Sequence, residues 1–447
     1  MSTATTSSSQ DGHANNIDLS ELLSTCIDAC RRGCEVIRNV RHKSLHGDVL
    51  DSVLYKIADD PRSALTEADG ASQKVIIECL TSCWEKEIEA GRIKIVGEEE
   101  DDHSTDLEGD KSFDTAYSED ILSHFDNYNT PRPDLEPIQK DMFHQTAPVG
   151  GEQTGNETSS KKDEIIIFID PMDGTREFVE GRIQNVQCLI GITVNGMPVA
   201  GAMGMPMVHG NQIEIAYGLI SPRSRHEISE SSVSVAVPLL SGVKFFDALN
   251  PLDIHSEKGN ASIGDNAHVV DEDSDSTLMV YSGDSKKPAL KLAMDCLENT
   301  ALGGMEPGNR PPIRKIVAGG CGSKILSVQR HFLRLSERRD GKDSASSFSS
   351  SSSPPMVGAI SIAPPGSSSW DTAAPTAVLL AVDPKARVTD LLGRPLIYDG
   401  ENLTNKCGIV VSSGCVASRI HERLCEGLCK DEALCEVLGV ELLNDAC

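Results

Sequence analysis

The stretch IIIFIDPMDGTREF, residues 165–178, has the most unusual local pattern in this chain. Its apolar start, residues 165–169, predicts a strand buried in a sheet, and two carboxylates, Asp170 and Asp173, follow where that strand ends. Both carboxylates and the carbonyl of Met172 can converge on one centre, and like charges that close are tolerated when a cation neutralises them. The alternative is that the two acids are solvated turn residues that cap the next helix.

Further residues at strand and helix ends point to the same chemistry. Gly174 and Thr175 would open a helix, where unpaired N–H groups suit a phosphate oxygen. Glu98 follows a short predicted strand, and Asp371 precedes a predicted apolar helix. Taken singly, each acid is more often a surface or capping residue, but together they form the all-oxygen set that Mg²⁺ prefers over His or Cys. The pattern therefore predicts a hard-cation site beside a phosphate-binding helix start.

The composition argues against several classes of function. The chain has 447 residues, with 68 acidic against 41 basic side chains and a formal net charge of -27. This balance argues against nucleic acid as a partner and against a polybasic membrane anchor. It does not exclude an anionic substrate, because divalent cations and a few basic residues can reverse the sign of the field locally.

Targeting signals and cysteines bear on the compartment. Residues 1–16 have neither the apolar segment of a secretory signal nor the arginines of a transit peptide, and we expect a disordered tail there. No apolar run approaches the roughly 18 residues that span a bilayer. We therefore expect no membrane partner, a cytoplasmic location, and reduced thiols at the 14 cysteines.

Hydrophobic periodicity predicts layered helices and sheets rather than a regular βαβ repeat. The expected N-terminal elements are helices at 17–41 and 66–90, strands at 92–96 and 164–169, and a hairpin that turns at 195–196. The expected later elements are a strand at 277–281, a helix at 287–297, a strand at 313–320, and helices that begin near 321 and 370. The sequence beyond about residue 405 gives no clear assignment.

Three motifs, in this order, resemble the signatures of a known superfamily. They are IVGEE at 95–99, IDPMDGTREF at 169–178 and SSSWDTAAP at 367–375. Together they are similar to the motifs of the Mg²⁺-dependent, lithium-sensitive phosphatases, which include inositol monophosphatases, inositol polyphosphate 1-phosphatases, fructose-1,6-bisphosphatases and 3′(2′),5′-bisphosphate nucleotidases. The stretches GTREFVEGRIQNVQCLIGI at 174–192 and AGGCGSK at 318–324 most resemble the nucleotidase branch. The resemblance implies an α+β fold, a layered αβαβα sandwich of the inositol monophosphatase type.

The resemblance also implies the residues of the site. The implied ligands for roughly two or three Mg²⁺ ions are Glu98, Asp170, the carbonyl of Met172, Asp173 and Asp371. The implied substrate-binding residues are Gly174, Thr175, Ser282, Ser285, Gly320 and Lys324. Lys324 is the expected counter-charge to the phosphate that is not hydrolysed, against the alternative of an ordinary exposed helix lysine. The two serines stand where the nucleotidases often carry a T-R-S-H-like run, and the missing His is a departure from that pattern.

The catalytic aspartate also departs from the pattern. The family places this acid six to eight residues before the helix aspartate, which is Asp69 here, and those offsets fall on residues 61–63, which hold no aspartate. Asp59 and Asp60 lie just upstream, and a small loop insertion would restore the role to one of them. We favour Asp60. The expected relay passes a proton from the attacking water through Thr175 to Asp60.

The resemblance implies a reaction and leaves alternatives to it. The implied reaction is Mg²⁺-dependent, lithium-inhibited hydrolysis of the 3′-phosphate of adenosine 3′,5′-bisphosphate to AMP and phosphate, by in-line attack of a metal-activated water. Use of 3′-phosphoadenosine 5′-phosphosulfate is left open. An inositol mono- or polyphosphate phosphatase would use the same metal site and is the nearest alternative. A non-catalytic phosphonucleotide sensor is disfavoured, because every named metal ligand is present.

Two long segments interrupt the predicted elements. Residues from about 101 to 162 are polar and rich in turn formers, and those from about 210 to 277 show little regularity, so both are expected to be insertions. A serine-rich loop is expected at about 340–355. We predict one domain at 17–280 with the main metal site, and a second at 281–447 with the nucleotide-binding segment and the last metal ligand.

Overall fold

The computed structural model describes residues 17–45, 54–55, 64–99, 164–208, 212–221, 238–247, 276–343 and 357–441. The predicted tail, the insertion at about 101–162, most of the serine-rich loop and both Asp59 and Asp60 lie outside these ranges. Within the described ranges, no helix is long and apolar enough to cross a membrane.

Two long helices form the first layer. Helix α1, Leu19–Leu45, packs against helix α2, Glu67–Glu89, and both bury apolar residues against the first sheet. A short antiparallel pair, β1 at Leu54–Tyr55 and β2 at Ala64–Leu65, leads into α2. Thr66 is the N-cap of α2, which confirms the predicted start of this helix.

Within the described ranges, the first sheet has six strands in the order β3-β4-β5-β6-β7-β8. Their bounds are Ile93–Gly97, Ile165–Asp173, Gln187–Val194, Met197–Val208, Gln212–Ile220 and Pro238–Asp247. Strands β3 and β4 are parallel, and the other neighbouring pairs are antiparallel. Asn195 and Gly196 join β5 to β6 with φ of 53° and 79°, which is the tight turn that an Asn-Gly pair predicts.

Strands β7 and β8 correct one prediction. The sequence predicts little regularity from about 210 to 277, and this is wrong for the two segments that form these strands. Strand β7 is buried, so its QIEIAYGLI sequence loses alternation in its second half. Strand β8 is an edge strand that leaves Val243 and Phe245 exposed, so no uniform hydrophobic face marks it in the sequence.

The second sheet has the order β10-β9-β11-β13-β12 among the described residues. The bounds of β9 to β13 are Leu278–Ser282, Ile313–Val317, Ala359–Ala363, Arg387–Thr389 and Ile409–Ser413. Strand β9 lies between two parallel neighbours, β10 and β11, and β13 is antiparallel to both of its neighbours. The carboxyl ends of β9 and β10 therefore lie at the same edge of this sheet.

Helices cover both faces of the second sheet. The bounds of α3 to α8 are Thr175–Val179, Pro288–Cys296, Cys321–Asp343, Ser369–Val382, Cys415–Leu428 and Glu432–Leu438. Helices α5 and α6 lie between the two sheets, and α4, α7 and α8 pack on the outer face of the second. The layers thus run αβαβα, which confirms the predicted fold. Strand β13, α7 and α8 occupy the region that the sequence left unassigned, and the division at 280 stays a prediction.

A row of glycines seats helix α6 directly on the first sheet. Gly191, Gly201 and Gly218 are cross-strand neighbours on β5, β6 and β7. A β-carbon at Gly191 or at Gly201 would lie 2.5 or 2.6 Å from backbone atoms of Ala374, closer than such carbons approach in proteins. Only hydrogen at these three positions lets the helix backbone come so near, and this contact sets the height of α6 above β4 and β5.

Candidate active site

Three carboxylates from separate elements meet at one edge of the first sheet. Glu98 follows β3, Asp170 lies within β4, and Asp371 lies in the first turn of α6. Ligand atoms of the three lie within 4.8 Å of one another. Strands β3 and β4 are parallel and pair Gly97 with Ile169, so they deliver the first two acids at the same level. We call Glu98, Asp170 and Asp371 the acid cluster.

The acid cluster is electrostatically unfavourable in the absence of a cation. Asp170 is buried, and burial raises its pKa well above the usual range, with further increases from the charges of Glu98, Asp173 and Asp371. Desolvation likewise raises the pKa of Asp371 to about 8. Removal from water and mutual repulsion both disfavour the ionised carboxylates, and a divalent cation would offset both. The donors are all oxygen atoms, so this set fits Mg²⁺.

Thr175 is hydrogen-bonded to Asp69, the helix aspartate from which the position of the catalytic aspartate was counted in the sequence. Its hydroxyl donates to Asp69 Oδ1 at 2.8 Å and lies 3.2 Å from the carbonyl oxygen of Met172. Asp69 Oδ2 accepts from the N–H of Thr66 at 2.7 Å and from its hydroxyl at 2.8 Å. Burial raises the pKa of Asp69 to about 7, against the lowering effect of these hydrogen bonds. Among the described residues, Asp69 is thus the carboxylate partner of Thr175, while the predicted partner, Asp60, lies outside them.

The sequence held one signal for Asp69. Thr66 and Asp69 have the spacing of a capping box, in which the cap residue and the residue three positions later bond to each other. That pattern accounts for one carboxylate oxygen of Asp69. The second oxygen reaches a hydroxyl 106 residues away, and only the packing of α2 against the end of β4 brings them together.

Asp173 connects the end of β4 to the start of α5. Its Oδ1 accepts from the N–H of Cys321 at 3.0 Å, and its Oδ2 accepts from the N–H of Gly322 at 2.8 Å. Burial raises the pKa of Asp173, while the charge of Lys324 and these two N–H groups oppose the rise. The acid therefore caps a helix here, and it lies outside the acid cluster. Its predicted role as a metal ligand, like that of the Met172 carbonyl, stays a prediction.

The predicted substrate-binding residues fall into two groups. Gly320, with φ of 66°, precedes α5, and the ammonium group of Lys324 donates to its carbonyl. Lys324 is buried, so the alternative of an exposed helix lysine is wrong. Ser282 ends β9, and its carbonyl accepts from Ala318 at 2.9 Å. Ser285 lies before α4, where its hydroxyl accepts from the N–H of Lys287 at 3.3 Å.

Gly174 is required by the local backbone. Its φ is 91°, in the left-handed region that favours glycine, and a β-carbon there would lie 2.9 Å from the carbonyl oxygen of Asn185. This conformation turns the chain from β4 into α3 and places Thr175 beside Asp69.

Comparison with known proteins identifies the domain around the opening motif. Residues 135–228 match the inositol monophosphatase family. This stretch is similar to an inositol monophosphatase family domain. The match includes the IDPMDGTREF motif, whereas Glu98 and Asp371 join that motif through the fold. The match supports the phosphatase activity that the sequence motifs predict.

Relatives of the family domain include nucleotidases. The chain is 26% identical over 407 residues to 3′(2′),5′-bisphosphate nucleotidase 1 of Dictyostelium discoideum, covering 89% of this chain and 94% of that protein. It is 26% identical over 253 residues to the protein of the same name from Rattus norvegicus, covering 56% of this chain and 58% of that protein. A putative inositol monophosphatase 3 of Drosophila pseudoobscura pseudoobscura is 26% identical over 197 residues, covering 43% of this chain and 42% of that protein.

Solved structures of the family domain align along most of the chain. The inositol monophosphatase from Anabaena (Nostoc) sp. PCC 7120 has a TM-score of 0.41 at 15% identity, covering 96% of this chain and 99% of that one. CysQ from Bacteroides thetaiotaomicron, a bacterial member of the inositol monophosphatase family, has a TM-score of 0.41 at 16% identity, covering 89% of this chain and 98% of that one.

Proposed function

We propose that this phosphatase hydrolyses the 3′-phosphate of adenosine 3′,5′-bisphosphate in a Mg²⁺-dependent reaction that yields AMP and phosphate. The observation that carries the proposal is the acid cluster beside the hydrogen-bonded pair of Thr175 and Asp69. The choice of substrate is supported by the likeness to a bisphosphate nucleotidase across 89% of the chain.

The acid cluster would hold the metal. Glu98, Asp170 and Asp371 would ligate Mg²⁺, with Asp173 and the Met172 carbonyl as further proposed ligands. Bound there, the cation would supply charge stabilisation for the phosphate oxygens and a lowered pKa for the attacking water. Inhibition by Li⁺ is part of the same proposal.

Thr175 and Asp69 would handle the proton of the attacking water. The Thr175 hydroxyl donates a hydrogen bond to Asp69 Oδ1, so the lone pairs of its oxygen can accept a hydrogen bond from a water molecule. Proton transfer from this water to Thr175, and from Thr175 to Asp69, would leave a hydroxide-like oxygen to attack phosphorus. The new P–O bond forms as the bond to the 3′-oxygen breaks, and that oxygen takes a proton from solvent as it leaves.

Lys324 would oppose charge at the other end of the substrate. Its ammonium group is buried beside Asp173 and at the start of α5. A second phosphate group near this helix start would meet both a cation and the N-terminal end of a long helix. Such an arrangement favours a substrate with two phosphates over one with a single phosphate.

The test is phosphate release by the purified full chain from adenosine 3′,5′-bisphosphate and from inositol 1-phosphate, with Mg²⁺ and with Mg²⁺ plus Li⁺. We expect release from the nucleotide, loss of it in the Thr175→Val variant, and inhibition by Li⁺. Preference for the inositol ester would establish the alternative function, which the family match and the Drosophila relative support. No release from either ester would overturn the proposal.

A further inference from the structure

Three glycines at the start of α5 rest on three polar side chains of the first sheet and its following helix. The close approaches are Gly319 on Glu177, Gly320 on Asp173 and Gly322 on Gln187. A β-carbon at these glycines would lie 2.3 Å from the Glu177 carboxyl carbon, 2.6 Å from Asp173 Oδ2 and 2.5 Å from Gln187 Oε1. Side-chain carbons do not approach other atoms this closely. The AGGCGSK segment therefore depends on its glycines to sit against this polar surface.

Glu177 is the most firmly held of these polar side chains. It is buried, and its two oxygens accept from Arg182 Nε and Nη2, each at 2.7 Å. Asn185 Nδ2 donates to the same carboxylate at 3.0 Å. This paired arginine contact, with the amide beside it, fixes the carboxylate in one orientation. Gly319 thus rests on a side chain that is held in place. This side chain, Glu177, is two residues beyond Thr175 in the chain.

The position of this surface determines where α5 begins. Gly319 is followed by Gly320 and by the two N–H groups, of Cys321 and Gly322, that Asp173 accepts. Lys324 lies one turn further along, bonded to the Gly320 carbonyl. A change in the height of Gly319 would move this whole segment relative to Asp173 and the acid cluster.

We propose that Glu177 is a positioning residue for the substrate-binding segment Gly319–Lys324. Its carboxylate bonds to Arg182 and Asn185 rather than to the acid cluster or the Thr175–Asp69 pair. It would therefore act through the placement of Gly319 and Lys324. This inference rests on the proposed function for its link to substrate affinity. It goes beyond that function because it assigns a role to Glu177. It also predicts that the side-chain length at position 177 must match the absence of a side chain at Gly319.

Glu180 provides a matched control within the same ion-pair network. Its carboxylate also pairs with Arg182, and it accepts from Arg176 Nε at 2.9 Å. However, it is half-exposed, and it is not among the atoms nearest to any of the three glycines. If the charge of the network mattered, neutralising Glu180 would have the effect of neutralising Glu177. If the packing of Gly319 matters, the two variants will differ.

The experiment compares five variants of the full chain with the wild type: Glu177→Asp, Glu177→Gln, Gly319→Ala, the Glu177→Asp/Gly319→Ala double variant, and Glu180→Gln. We expect KM for adenosine 3′,5′-bisphosphate to rise about tenfold in Glu177→Asp and more in Gly319→Ala, with kcat within about twofold of wild type. We expect a smaller rise in Glu177→Gln and none in Glu180→Gln.

The double variant is the sharpest test of the size match. An aspartate withdraws the carboxylate by one methylene group, which makes room for the β-carbon of alanine at Gly319. We therefore expect KM of the double variant to lie below that of Gly319→Ala alone, a coupling that independent sites do not show. Additive changes in KM, an equal rise in Glu180→Gln, or loss of kcat rather than affinity would each overturn the proposal.

Hydrogen exchange tests the same proposal without reference to activity. We expect the amides of residues 318–324 to exchange faster in Glu177→Asp and Gly319→Ala than in the wild type, and at the wild-type rate in Glu180→Gln. Unchanged exchange in Glu177→Asp would overturn the positioning role. If the wild type releases no phosphate from the nucleotide while exchange follows the expected order, the proposed function fails and the positioning role stands.

Discussion

Two clusters of polar side chains in this molecule differ in how their charges and hydrogen bonds are balanced. Where helix α7 packs on the second sheet, His421 Nε2 lies 2.8 Å from Thr389 Oγ1, and Nδ1 lies 3.0 Å from Ser412 Oγ. Each ring nitrogen has a partner, and burial keeps the imidazole neutral by lowering its pKa to about 3. In the acid cluster, by contrast, burial and the charge of Glu98 raise the pKa values of Asp170 and Asp371.

The difference separates a cluster that is complete within the fold from one that a bound cation would complete. A buried polar group that its neighbours satisfy adds rigidity and needs nothing more. A group of like charges gathered out of water costs stability until a ligand of opposite charge binds. The acid cluster is therefore expected to lower the free energy of unfolding in the absence of a cation, whereas the groups around His421 are not.

The largest expected effect comes from neutralising one acid of the cluster. Asp170→Asn keeps an oxygen to accept the N–H of Met172, now at 3.0 Å, while it removes the charge. We expect phosphate release to fall by about 1,000-fold and the free energy of unfolding in metal-free buffer to rise by about 1 kcal/mol. Steady-state kinetics and urea unfolding measure the two changes. Asp295→Asn, an exposed change on α4, is the control, and a drop in both activity and stability for Asp170→Asn would contradict the contrast.

The next effect comes from removing the hydroxyl that bonds to Asp69. We expect Thr175→Val to lower kcat by about 100-fold, because the proposed proton relay loses its first member. Thr376→Val is the matched control. Thr376 lies in α6, and its hydroxyl lies 3.3 Å from the hydroxyl of Tyr398 rather than beside Asp69. Comparable losses of kcat in the two valine variants would argue against a relay role for Thr175.

The satisfied cluster predicts a pH dependence of stability rather than of activity. The pKa of His421 in the folded chain is about 3, below its ordinary 6.5, so the unfolded chain binds the proton first as the pH falls. The stability that neutral His421 contributes is complete above about pH 6.5 and is lost as the pH falls towards 3. We expect His421→Gln to cost about 1 kcal/mol at pH 7 and to flatten this loss, with kcat unchanged.

Urea unfolding of both proteins at pH 5, 6 and 7 measures the difference between them. A difference that stays constant across the series would show that His421 does not carry the acid sensitivity.

The last expected effect, on stability alone, concerns a side-chain amide oxygen. Gln187 Oε1 is buried and accepts no hydrogen bond within the part of the chain that the structure describes. We expect Gln187→Met to raise the free energy of unfolding by about 1 kcal/mol, because an unsatisfied acceptor is removed. Gln73→Met is the control and should destabilise, since this amide bonds to both the N–H and the carbonyl of Glu99. Thermal melts of the two variants should move in opposite directions.

Local signals in the sequence predict most of the fold and part of the site. The Thr66 cap, the Asn195-Gly196 turn and the apolar strand before Asp170 each act over a few residues, and each appears as predicted. The sequence does not predict strand β8. This strand lies at the edge of the first sheet and has no regular alternation of apolar and polar residues that would mark it.

The same limit applies to the site. Glu98 and Asp371 stand out because motifs mark them. The role of Asp69 depends on a hydroxyl far away in the chain, and the match of Glu177 to Gly319 depends on the packing of α5 against the first sheet. Neither has a local pattern, so only the folded chain reveals them.

The glycine row beneath α6 has a consequence for how such a protein can change over time. Because helix and sheet meet there through backbone atoms, we expect the spacing between Asp371 and Asp170 to depend little on the sizes of core side chains. Substitutions can then accumulate in the outer layers while the distance between these two acids stays constant. A single methyl group at Gly191 or Gly201 would lift the helix, and we expect lineages to differ almost everywhere in the core before they differ at these two positions.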